Sequence, residues 1–428
     1  MVPRRNSAIV APLVLAACFA AVAPPPASEI TELTPATTTV STSKIDRSGE
    51  PKPAIKEEVE PKVGAPVSVG FTRRIDRAKI EARGASRDKA GFDAAVLKAA
   101  AAFDNETWSG DARRQLLAWL RREAVAPSAA FTEADARIVA HLQTGSGALA
   151  DGKLRDETMA VLLAMGLRFT AHKTAWARLD FYPSELEDID GWTREIENVT
   201  RRGGTFRDAS PPAGEGSIYV RVGGVIVACY RARGGPPATL QDDAKHVAAP
   251  TKPGEYQLGP PHAHVTSNWY FSQIPWGAEI RAKDDGYQYR VPGRVGWSWA
   301  TKHPAGTLKE PLDATDFEFL PEVTHDGETF SIWNRNDFGP IAWNLVPSDL
   351  YVHTTPDAEA GAHPPGMAST LTCSHGCVHI DPKERDEMMK WGYLGVGVPF
   401  VVHRWDEHVL PDPVRHDMTT GTGVASTS

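Results

Sequence analysis

The chain has 428 residues, 41% hydrophobic and 23% charged, so it carries enough apolar material for a core and is not wholly disordered. A net charge of −8 leaves no dominant basic footprint and excludes nucleic acid as the natural partner. Four cysteines cannot form a disulfide scaffold, and no apolar run beyond the N-terminus reaches the ~20 residues of a membrane-spanning helix.

Residues 1–23 read as an export signal, with Arg4 and Arg5 ahead of a short apolar stretch from Ala8 to Ala17. Two processing routes compete. Leu15-Ala16-Ala17-Cys18 resembles a bacterial lipobox, which predicts lipidation of Cys18 and attachment to a membrane. Cleavage after Ala23 is the rival, and Pro24 directly after the cut disfavours it. Either route predicts an exported, periplasmic protein. Residues 24–70 are rich in Pro, Thr, Ser, Glu and Lys and read as a disordered linker, whose coil dimension is about 40 Å.

Residues 71–167 are helical in pattern. Asp88 to Phe103 is Ala-rich, and Leu116, Leu117 and Leu120 share a face of the next helix. Thr132 is a good N-cap for a third helix, with Asp135 in its first turn, and a fourth runs over 156–164. A small helical bundle follows from these patterns. The stretch from Thr132 to Leu167 also resembles the second half of a peptidoglycan-binding repeat, in which His141, Leu142, Gln143, Asp151, Gly152 and Thr158 fill the family's positions. That likeness implies glycan binding; the alternative is a purely structural bundle.

Residues 168–216 read as a connector, and 217–405 become β-rich. Gly223-Gly224 marks a two-residue hairpin, and pairing Val222 with Val225 puts Ile218, Val220, Val227 and Cys229 on one face. Strand-like pieces follow in "TKPGEYQLG", "AEIRAK", "TFSIWN", "DLYVHTT" and "VPFVVHRW", with one helical stretch from Lys383 to Trp391. Residues 406–428 read as a disordered tail. The expected fold is thus multidomain α + β: a small helical bundle followed by a mainly β, sandwich-like domain.

The chemistry concentrates at Ser374-His375-Gly376-Cys377-Val378-His379. A cysteine nucleophile needs a base, an orienter for that base and donors for an oxyanion. His353 is a candidate base, and Gly376 permits close backbone approach. "VHTT" followed by "SHGCVHIDP", with Pro253-Gly254 upstream, resembles the YkuD-type L,D-transpeptidases over about 185 residues. The resemblance implies Cys377 as nucleophile, His353 as general base and the Thr354 carbonyl as its orienter. It implies further that Ser374, His375 and Gly376 shape an oxyanion pocket, with the Gly376 and Cys377 amides as donors. Two departures stand out: residues 354–373 make an unusually long spacer, and His379 sits where the family has Arg or Asn. His379 and Trp343 are the weaker substrate-contact candidates.

The activity so implied is peptidoglycan crosslinking through a Cys377 thioester, with stem peptides and glycan as partners and no cofactor. Alternatives are an L,D-carboxypeptidase or other wall-peptide hydrolase of the same fold, a catalytically dead wall-binding lipoprotein, and a metal site drawn from Cys373, Cys377, His379 and His353.

Overall fold

The computed structural model describes residues 75–420, except the stretches 108–109, 170–176, 186–200, 202–215, 236–250, 301–319, 362–370 and 372–373 and the single positions 89, 127, 267, 285 and 326. The expectations placed on residues 1–70, Cys18 and Cys373 therefore lie outside the described residues.

Five helices come first: α1 (Arg77–Arg87), α2 (Ala94–Thr107), α3 (Gly110–Arg121), α4 (Glu133–Ser146) and α5 (Asp156–Ala164). Thr132 caps α4 through a reciprocal pair of hydrogen bonds with Asp135, and Gly147 ends it in the left-handed region at φ 84°. Asp135 also takes a two-point salt bridge from Arg121, at 2.8 and 2.7 Å, which ties α3 to the start of α4. α1 and α4 cross on glycines: a Cβ on Gly145 would lie 2.0 Å from the Ile80 carbonyl oxygen, and one on Gly84 would lie 2.1 Å from that of His141.

The residues that resemble the peptidoglycan-binding repeat form an internal staple. Gln143 is 1% exposed and Thr158 2%. The Gln143 side-chain oxygen accepts from the Asp151 and Gly152 amides at 3.0 and 2.8 Å, and its nitrogen donates to the Lys153 carbonyl and Thr158 Oγ1 at 2.8 and 2.9 Å. Four groups between α4 and α5 thus depend on one amide. Gln143→Ala leaves the Asp151 and Gly152 amides without that partner and the Lys153 carbonyl and Thr158 Oγ1 with only their mutual 3.3 Å bond, with an expected loss of about 2–4 kcal/mol, read as a lower urea midpoint. Unchanged stability with weaker binding to sacculi would instead assign Gln143 to a ligand.

The β region closes into a barrel of eight strands: β1 (Ala177–Tyr182), β2 (Gly216–Val222), β3 (Val225–Arg233), β4 (Gly254–His262), β10 (Ala342–Val346), β11 (Tyr351–His353), β12 (Val378–Ile380) and β13 (Pro399–Val402), in the order β1-β13-β4-β10-β11-β12-β3-β2. The helical part followed by a mainly β part is as expected; within the latter, closure replaces a sandwich-like pair of sheets and removes the exposed strand edges. Between β4 and β10 the chain builds a second sheet from β5 (Glu279–Lys283), β6 (Gly286–Arg290), β7 (Ser298–Trp299), β8 (Glu322–His325) and β9 (Glu328–Ile332). This sheet has its own small core around Ile280 and Trp333. Two short helices flank β12, namely α6 (Pro356–Glu359) and α7 (Pro382–Lys390), and α8 (Asp412–Thr420) follows β13.

Helices and barrel share one continuous hydrophobic core. α5 is buried at every position from Thr158 to Ala164 and packs toward β3, as a helix apolar all round must. Three expectations change accordingly. The connector supplies β1, a barrel strand whose pattern is hidden because Asp180 is fully buried in it, satisfied by Arg178, Arg221 and His403. The tail supplies α8, with Val414 and Met418 in the shared core and Asp417 paired to Arg83 at 2.8 Å. The β2–β3 hairpin pairs Val222 with Val225, but a bulge beyond Arg221 sets Tyr219 opposite Cys229. One extra residue moves Cys229 to the face opposite Ile218 and Val220. It is buried there too, because both faces of β3 are covered.

Candidate active site

Strands β11 and β12 run parallel, with Val352 beside Val378 and His353 beside His379. Alternation along each strand then places Tyr351, His353, Cys377 and His379 on one face and Val352 and Val378 on the other, toward the barrel core. Cys377, His353, His375 and His379 all line a cavity of about 480 Å³. The imidazoles of His353 and His379 meet edge to face at 4.6 Å.

His353 is 3% exposed, and its Nδ1 lies 2.8 Å from the Thr354 carbonyl oxygen. A carbonyl only accepts, so Nδ1 carries the proton and Nε2 keeps its lone pair. Burial, assisted by the nearby His264 and opposed by the Thr354 bond, lowers the His353 pKa to about 4. Burial likewise pushes the Cys377 thiol up to about 11, against a smaller opposing pull from the Tyr351 backbone. At neutral pH the resting pair is a neutral thiol beside a neutral imidazole, not a thiolate–imidazolium pair. A thiol in this state could act as a nucleophile only by losing its proton during attack, not from a standing thiolate.

Side-chain-to-backbone contacts fix the turn that carries Cys377. Gly376 has φ 112°, open to glycine and costly for other residues. Ser374 Oγ donates to the Cys377 carbonyl at 2.5 Å and accepts from the Gly376 amide at 2.9 Å. Thr251 Oγ1 reaches the same Cys377 carbonyl at 3.4 Å from the segment just before β4. The Gly376 amide is therefore committed inside the turn, which corrects its expected role as an oxyanion donor and leaves the Cys377 amide as the candidate of the two. Thr354 is held from behind: its Oγ1 donates to Glu359 on α6, and Glu359 pairs with Arg385 on α7. Glu359 belongs to the long spacer between His353 and Ser374, so the start of that spacer buttresses the residue whose carbonyl holds His353.

Trp343 does not reach the cavity. It pairs with Val352, one residue out of phase with His353, and is 1% exposed in the barrel core. Among the described residues the tryptophan of the cavity is Trp269, whose ring lies tilted against that of His375 with centroids 4.4 Å apart. Sequence reading also passed over Phe271, Arg335, Asp337, Phe338 and Asp357, all of which line the same space. Phe338 packs its ring 4.7 Å from that of His353. A usable signal lay in "NRNDFG" (residues 334–339), a run of Asn and Asp ending in Gly between two strand patterns, typical of a loop built by side-chain-to-backbone bonds.

No family model matches the sequence, and no curated protein matches it. Among solved structures, an L,D-transpeptidase from Xylanimonas cellulosilytica aligns over 69% of this chain and 94% of its own, at 11% identity and a TM-score of 0.19. With likeness this low, the functional reading rests on the geometry of the site itself.

Proposed function

We propose that this protein is a peptidoglycan L,D-transpeptidase. The observation that carries the reading is the placement of Cys377 and His353 on one face of two adjacent parallel strands, open to a shared cavity, with the imidazole Nδ1 held by Thr354. As Cys377 Sγ attacks a donor peptide carbonyl, His353 Nε2 takes the thiol proton. The negative charge that builds on the carbonyl oxygen falls to the Cys377 amide. Collapse breaks the C–N bond, His353 returns the proton to the departing amine, and a thioester remains. An acceptor amine then attacks the thioester; His353 takes its proton, the C–S bond breaks and the thiol is restored. The test is intact-mass analysis of the purified protein with a tetrapeptide stem. An adduct on Cys377 that resolves to crosslinked dimers supports transpeptidation, whereas one that resolves only to tripeptide assigns a carboxypeptidase.

The reading carries a location with it. An enzyme of the wall works outside the cytoplasm, and the lipobox-like run ending in Cys18 would hold it to a membrane. Cys18→Ser is expected to move the protein from the membrane fraction to the soluble fraction. A mature N-terminus beyond Cys18 would refute the anchor.

A further inference from the structure

His353 ends one three-residue strand and Cys377 directly precedes another, and the two strands meet through two register pairs, Val352 with Val378 and His353 with His379. So short a ladder leaves the continuation of each strand to be held by other contacts. β12 runs straight into α7. Asp381 caps that helix, accepting from the Lys383 amide at 2.9 Å, and the Arg385 amide donates to the Asp381 carbonyl at 2.8 Å. The helix is fixed to the barrel by Met388, which is fully buried, and by Glu387, which accepts from Tyr230 on β3 at 3.3 Å. β11 runs instead through Thr354 into α6, a single turn capped by Thr355. One turn does not hold itself in water. Thr355, Pro356 and Asp357 nevertheless line the cavity from there.

A single carboxylate oxygen joins the two continuations. Glu359 Oε1, at the end of α6, accepts from Thr354 Oγ1 and from the Arg385 guanidinium. The side chains of this ion pair are only 10% and 12% exposed, so solvent screens it little. Thr354 is fully buried, and Gly339 closes its other side, where a Cβ would lie 2.3 Å from Oγ1. Its hydroxyl is thus gripped from two directions while its carbonyl holds His353 Nδ1 at 2.8 Å. A shift of Thr354 would swing that carbonyl away. An imidazole released from it can carry its proton on Nε2, where it no longer accepts one from a thiol. We propose that Glu359 and Arg385 form a clamp across the reacting pair, as positioning residues that keep His353 aligned with Cys377 without touching substrate. The assignment rests on the reading that Cys377 and His353 react as described above.

The experiment follows acylation of Cys377 by the tetrapeptide stem in single turnover, by intact mass, over a range of donor concentrations. A first-order rate constant does not depend on how much of a preparation is folded. Glu359→Ala is expected to lower the limiting rate roughly 10–100-fold while the half-saturating donor concentration stays within about 3-fold, because a misplacement of about 1 Å far from the chemistry costs on the order of 10²-fold. Arg385 keeps Asp386 as a partner at 2.8 Å, so this variant strands no buried charge. Glu359→Gln, which keeps an oxygen for Thr354 and Arg385, is expected to recover most of the rate. Arg385→Gln is expected to show a smaller loss, and the Glu359→Ala/Arg385→Gln double variant to be no slower than Glu359→Ala, since both act through one contact. An unchanged limiting rate in Glu359→Ala, a loss confined to donor saturation, or losses that multiply in the double variant would overturn the clamp and leave the transpeptidase reading in place. If Glu359→Ala does not fold, an unchanged limiting rate in Arg385→Gln overturns the clamp in its stead. A wild-type protein that the stem does not acylate would overturn both.

Discussion

A Cys377→Ala protein is expected to form no acyl adduct and no crosslinked product, while folding as the wild type does. In the proposed mechanism the thiol bonds to the donor, and no other group on this face could replace it. His353→Ala is expected to retain slow acylation, reduced about 10²–10⁴-fold, because the base is lost while the cavity and the Cys377 amide remain. The pH profile gives a sharper reading. His353 acts as base only when neutral, and its pKa is lowered to about 4. The acid limb of kcat/KM for acylation is therefore expected near pH 4, with activity lost as pH falls through that value and level through neutrality. With the thiol at about 11, only about 10⁻⁴ of it is thiolate at pH 7, so iodoacetamide should label Cys377 slowly without substrate. An acid limb near pH 6.5 with fast labelling at neutrality would point to a resting ion pair. Cys377→Ala protein that still crosslinks stems would remove the assignment altogether.

Gly145→Leu is expected to unfold the protein or lower its stability by about 3 kcal/mol or more. Two effects oppose each other here. A helical glycine replaced by a better helix former gains about 1 kcal/mol in propensity. Against that, any Cβ at Gly145 meets the Ile80 carbonyl oxygen at 2.0 Å and the Gly84 amide nitrogen at 3.0 Å. Both are backbone atoms, which cannot swing aside, so α1 must separate from α4. The clash wins. Because the helices share their core with the barrel, the loss is expected to appear in one transition together with Cys377 acylation, not as the melting of a detachable bundle. A normal midpoint for Gly145→Leu would show that the two helices slide past one another at little cost.

Local chemistry made much of this legible in the sequence. The cap at Thr132, the hairpin at Gly223-Gly224 and the run of residues around Cys377 each depend on near neighbours. What escaped notice depends on distant partners. Asp180 looks out of place in a strand until Arg221 and His403 arrive from far along the chain to pair with it. Trp343 looked suited to a cleft, yet the pairing of β10 with β11 turns it to the core face. Val414 and Met418, four residues apart in a polar tail, show their purpose only once a core is there to receive them. The cavity wall at Arg335 and Asp337 likewise needed the bulk of the fold to bring it to Cys377.

β4 and β10 are neighbours in the barrel, with His262 directly opposite Ala342. Everything between them leaves and returns at a single point on the rim. Residues 263–341 are in effect a cassette: they hold Trp269, Phe271, Arg335, Asp337 and Phe338, but neither Cys377 nor His353. On the proposed reading, the reacting pair and most of the aromatic wall that a donor would meet are thus encoded in separate lengths of chain. An exchange of that segment could then reshape one wall of the cavity with every pairing of the barrel left as it was.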